Sequence, residues 1–192
     1  MKNRTLSLLI LAAGGLFFQR CQPADRNAKL GDSLVVDRTI VDTAEMTGRA
    51  KLENEIQTVM FIEKVALSSL MGDTLGKLAI EKSTNRGVSA FGKLMEQDQK
   101  RISAALKVLS SAKRLNLPME LPVKEQEQIR QMREMEPAYF EKLYLKMMIE
   151  YHNKNIELFK GAGNSPDTAV SNFAHKFLPV LEANREKALK LY

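Results

Sequence analysis

Few residues in this chain are equipped for chemistry. Among 192 residues there are two histidines, His152 and His175, and one cysteine, Cys21. His152 has Leu145, Met148, Ile149, Ile156 and Phe159 at helical offsets, with Asn155 the one polar residue on that face. Asp98 is placed the same way among Phe91, Leu94, Met95, Ile102 and Ala105, beside Arg101. Asn184 shares its face with Phe177, Val180, Leu181, Ala188 and Leu191. A carboxylate carried into an apolar stripe is costly unless it is paired and hydrogen-bonded. Polar residues on three apolar faces therefore predict mutual contact: Asp98 paired with His152, with Gln99, Tyr151 and Asn184 as neighbours. Opposite charge would favour a protonated His152, and burial would oppose it. The competing reading has each group satisfied separately, by water or by reaching the edge of the fold.

Helices must hold these positions. Apolar residues recur at steps of three and four from about Glu53 to Ser83, through Val59, Ile62, Val65, Leu75 and Ala79. After a turn at Ser83–Gly87 the period resumes through Phe91, Met95, Ile102 and Leu109 to about Lys113. Pro118 and Pro122 then break it, and a short amphipathic helix is expected from about Lys124 to Met135. Pro137, at a favoured first-turn position, opens a helix reaching Lys160. Pro166 opens the last one, which runs to Tyr192 with a kink expected at Pro179. Two connections of about five residues force antiparallel neighbours, while the Arg114–Met135 stretch of about 22 residues can travel the length of a bundle. The expected fold is all-α: a ferritin-like four-helix bundle over residues 51–192, with one long crossover containing a short helix.

What precedes the bundle reads as an address. Lys2 and Arg4 stand before an apolar run, Leu6 to Phe18, of about 13 residues, against the roughly 20 a membrane span needs. Residues 1–20 are therefore expected to be a signal peptide of lipoprotein type, with Cys21 the acylated residue, although Arg20 is atypical before such a cysteine. Multiple acylation would tether the rest firmly to a membrane. Ordinary cleavage and an uncleaved anchor are the alternatives. Residues 21–50, polar and Asp-rich, read as a flexible tether. The expected location is the periplasm or the outer membrane.

The segments Phe61 to Ser83, Phe91 to Ile102, Phe140 to Phe159 and Phe173 to Leu189 resemble the bacterial domain of unknown function 4142 (DUF4142). The resemblance rests on Leu75-Gly76-Lys77-Leu78-Ala79, Met95-x-x-Asp98, Tyr144-Leu145-x-Met147-Met148 with His152, and Leu178-Pro179-x-Leu181, and it covers about residues 56–190. It implies a ferritin-like fold and an exported or envelope protein. It also implies a Glu, two further His and an acidic residue where this chain has Gly72, Gln99, Asn184 and Tyr151. Of the family's candidate ligands only Asp98 and His152 remain, a weak metal site at best. Carboxylate-bridged di-iron bundles use Glu-x-x-His pairs, but Ile149 and Asn172 stand three residues before His152 and His175. Glu150, Glu157 or Glu182 would have to turn inward to complete a site. The nine Met residues after residue 20 read as core filler.

Composition narrows the partners. Loss of residues 1–20 removes Lys2, Arg4 and Arg20, leaving 26 basic against 23 acidic residues, a charge of +3 instead of +6. The basic residues alternate with Glu, as on solvated helix faces. Nucleic-acid binding, which wants a concentrated basic stripe, is not expected. No nucleophile elbow, phosphate-cradling loop or HExxH pattern occurs. The expectation is a non-enzymatic envelope lipoprotein, without a cofactor beyond a weakly bound metal ion, that binds a protein or small ligand or plays a structural part. The alternatives are a metal-binding, oxidative-stress protein with a reduced site at Asp98 and His152, and a small-ligand binder using the bundle interior.

Overall fold

The computed structural model describes residues 33–192, and side chains from residue 45 on. Cys21 and the expected signal peptide lie outside the described residues. Five helices follow in order: α1 Ser33–Lys82, α2 Arg86–Ala112, α3 Val123–Arg133, α4 Pro137–Gly163 and α5 Thr168–Leu191. The bundle lies within residues 44–192, which form one compact unit. Among the described residues no helix is long and apolar enough to cross a membrane.

Helix α1 starts some twenty residues before the apolar period suggests, within the stretch read as a tether. Between Asp32 and Gly48 there is neither glycine nor proline to stop a helix. Residues 45–57 are exposed throughout, so no buried face marks this part of the helix in the sequence. The other ends follow local chemistry. The Asn85 side chain accepts from the Gly87 and Val88 N–H groups to cap α2, and Asp167 does the same for α5 through Ala169 and Val170. That cap moves the start of α5 past Pro166. The helix then continues through Pro179. At the end of α2, Arg114 takes a left-handed φ of 57°, while Leu115 N–H donates to Ser110 C=O and Arg114 N–H to Ser111 C=O. This is the Schellman arrangement, closed by an arginine where glycine is usual.

Two polar ties fix the directions. Glu141, in the first turns of α4, accepts from the Thr84 and Asn85 N–H groups at 2.7 and 2.8 Å and from the Ser83 hydroxyl at 2.7 Å. The start of α4 is therefore fastened to the α1–α2 turn. Burial works against the charge on Glu141, yet these donors hold its pKa below the usual carboxylate value. At the far end Lys113 pairs with Asp167, joining the end of α2 to the α4–α5 turn. Helices α2 and α4 thus run parallel, and the crossover carrying α3 spans the bundle, as the connection lengths require.

Contacts place the helices in the ring α1–α2–α5–α4. Helices α1 and α2 meet at two glycines: a Cβ on Gly76 would lie 2.8 Å from the Gly92 carbonyl oxygen, and one on Gly92 2.7 Å from that of Gly76. Backbone cannot yield as a side-chain tip can. Gly76→Ala is expected to cost about 2 kcal/mol in urea unfolding, the overpacking penalty exceeding the gain in helix propensity. A stability equal to or above wild type would show that the two helices separate freely.

The core falls into two apolar clusters. One, with Phe61, Leu106, Phe159, Phe173 and Phe177, fills the end near the α4–α5 turn. The other, with Leu78, Phe91, Met95, Phe140, Tyr144 and Met148, fills the end near the α1–α2 turn. A polar layer separates them.

Candidate functional site

Each of the four bundle helices contributes to that layer from near the middle of its bundle portion: Ser68, Ser69 and Gly72 from α1, Asp98 and Gln99 from α2, Tyr151, His152 and Asn155 from α4, Asn184 from α5. Asp98, Gln99, His152, Asn155 and Asn184 are all buried. The apolar-face argument thus puts Asp98, Gln99, His152 and Asn184 where expected, with Tyr151 partly buried beside them.

Their pairing differs from expectation. Asp98 Oδ2 accepts a 2.9 Å hydrogen bond from Asn184 Nδ2, and Oδ1 accepts from Arg101 at 3.2 Å. His152 is fully buried, and neither Nδ1 nor Nε2 has a hydrogen-bond partner. The Asp98–His152 pair is therefore not formed. The reason lies in the ring order: α2 and α5 are neighbours, whereas α2 and α4 face each other diagonally, so Asn184 reaches Asp98 first. The arginine supplies the charge that histidine was expected to provide.

His152 instead sits among rings, edge-on to Tyr151 at 5.1 Å between centroids and 6.4 Å from Phe91. Burial, reinforced by the positive charge of Arg185, pushes its pKa down to about 3, so the imidazole is neutral at physiological pH. Tyr151 donates to the Ser68 carbonyl at 3.1 Å, and burial raises its pKa to about 12. The Gln99 amide is buried beside the Tyr151 hydroxyl. Gly72 makes room for both: a Cβ there would stand 2.8 Å from the Tyr151 hydroxyl and 3.0 Å from the Gln99 side chain.

Ser68, Ser69 and Asn155 were not singled out in the sequence. Asn155 accepts from the Ser68 hydroxyl at 2.6 Å and donates to the Tyr151 carbonyl at 2.8 Å, closing the α1–α4 side of the layer. Asn155 was visible as the polar exception on the His152 face. Ser68 gave no signal of its own, since a serine near mid-helix is common on any face.

The donor set does not fit a metal centre. Both Asp98 oxygens are engaged, His152 is not directed to Asp98 by a bond, and Gly72 leaves space that Tyr151 and Gln99 take up. Glu150 and Glu157 are exposed, and Glu157 pairs with Lys160. No group of three His, Cys, Asp or Glu suited to a metal ion occurs among the described residues. His175 lies exposed against Gly163, outside the layer.

Comparison with known proteins agrees with this architecture. A family profile described as "Domain of unknown function (DUF4142)" matches residues 42–191. The crystal structure of a DUF305 fragment from Deinococcus radiodurans superposes with a TM-score of 0.63 at 11% identity, covering 70% of this chain and 94% of that one. At that identity the likeness concerns the fold alone. No curated protein matches the chain significantly.

Proposed function

The chain belongs to the DUF4142 family, and from that premise we propose that it is a non-catalytic envelope lipoprotein whose ferritin-like bundle serves binding or structure. One observation carries the reading: the layer's only carboxylate is already bonded by Asn184 and Arg101, leaving a neutral, isolated imidazole as the remaining candidate ligand. A reactive ion needs several free donors at one point, and this layer spends its polar groups on joining helices. Such layers can fix register among otherwise interchangeable apolar faces. The address rests on Lys2, Arg4, the apolar run Leu6 to Phe18 and Cys21.

Two measurements on the full chain test this reading. Expressed in a bacterial host, the protein should incorporate labelled palmitate and fractionate with membranes, and Cys21→Ser should abolish labelling and move it to the soluble fraction. Purified protein should carry iron, manganese and zinc well below one per chain. Stoichiometric metal lost on Asp98→Ala or His152→Ala would instead establish the metal-handling alternative.

A further inference from the structure

Between the first turns of α2 and the last turns of α5 runs a groove of about 440 Å³. Its apolar side is formed by Ala90, Phe91, Leu94 and Leu191, its charged side by Lys187 and Lys190. The pattern follows from helical spacing. Residues 187, 190 and 191 share one face of α5, and 87, 90, 91 and 94 share one face of α2. Gly87 lets the seam close at its end, since a Cβ there would meet Leu191 Cδ2 at 2.9 Å.

Charge separates this groove from others on the molecule. The grooves at Lys64 and at Lys51 carry carboxylates among their lysines, Glu125 in the first and Glu55 and Asp167 in the second. No acidic side chain lines the α2–α5 groove, and neither of its lysines forms an ion pair with a described residue. The N-terminal amides of α2 do not add to anion binding, because Asn85 already takes those of Gly87 and Val88. Two unpaired cations beside an apolar trough match a ligand with one anionic head and one hydrocarbon chain, and the volume lies in the range of small-molecule sites. Phe91 lies at the base of the trough, only 3% exposed, with Ala90, Leu94 and Leu191 around it.

We propose that the α2–α5 groove binds a long-chain fatty acid, with the acyl chain along Phe91, Leu94 and Leu191 and the carboxylate between Lys187 and Lys190. The inference is separate from the envelope assignment and does not depend on it.

Titration calorimetry of the full chain with sodium dodecanoate, below its micellar concentration, tests the proposal. One site per chain is expected, with affinity rising roughly three- to fourfold for each methylene added between octanoate and dodecanoate. Dodecyltrimethylammonium, with the same chain and opposite charge, should bind at least about tenfold more weakly. Lys187→Glu with Lys190→Glu should weaken dodecanoate binding at least about tenfold. Ala90→Phe, which fills the trough from an exposed position, should do the same, both variants keeping the wild-type circular dichroism; should either fail to fold, the other decides. Lys64→Glu with Lys154→Glu, on the α1–α4 groove, should leave binding unchanged. Absence of saturable binding, equal binding of the cationic detergent, or loss only in the Lys64/Lys154 variant would overturn the proposal. So would lysine-dependent binding to phosphatidylglycerol vesicles without binding of monomeric dodecanoate, which would mark a membrane-facing surface.

Discussion

Asn184→Leu should lower the free energy of unfolding by about 3 kcal/mol, because it leaves a charged oxygen of Asp98 buried without a donor. Asp98 and Asn184 are 6% and 2% exposed, so water cannot replace the lost bond without opening the layer. Arg101 still reaches the other oxygen, but its side chain is 65% exposed, and a pair so placed contributes little. Asp98→Leu alone should cost about 1–3 kcal/mol, since the Asn184 amide then goes unpaired. The double variant Asp98→Leu/Asn184→Leu should return to within about 1 kcal/mol of wild type, as replacing a whole buried polar pair with apolar volume often does. Urea unfolding of the four proteins gives the coupling directly, expected at about 2 kcal/mol or more. Additive effects of the two single changes would show that Asp98 finds its partner elsewhere and that the α2–α5 bond is incidental.

The sequence reveals which residues enter the layer because helical offsets decide burial, and Asp98, His152 and Asn184 all lie in apolar stripes. It does not reveal who bonds whom. Pairing depends on the order of helices around the ring, and connection lengths fix only which helices are antiparallel. Asp98 therefore meets Asn184 across a neighbouring seam and not His152 across the diagonal. Gly72 illustrates a second limit. A missing side chain is silent in a periodicity argument, yet here it provides the space that Tyr151 and Gln99 occupy. The start of α1 is a third case: residues 45–57 bury nothing, so no apolar period announces the helix. The α2–α5 groove was equally hidden, since Lys187 and Lys190 read as members of an ordinary charged face until α2 is set beside them.

His152→Leu should make the protein less sensitive to acid. In the folded state the imidazole titrates near pH 3, against 6.5 for an ordinary histidine. Burial therefore favours the neutral form, and the unfolded chain binds the proton more readily throughout that interval. What this residue contributes is fully present above pH 6.5 and drains away as the pH falls toward 3. The slope is about 1.4 kcal/mol per pH unit while only the unfolded chain is protonated. Between pH 7 and pH 4.5 the stability of His152→Leu relative to wild type should thus rise by about 2–3 kcal/mol. At pH 7 the variant should already equal or exceed wild type, because leucine removes two buried nitrogens that have no partner. Taking the difference between the two proteins at each pH cancels the titration of the carboxylates they share, leaving the imidazole alone. A difference that stays flat from pH 7 to 4.5 would mean that His152 is protonated in the folded protein or reaches water. Either result would break the account of a layer in which Asp98 is bonded without it.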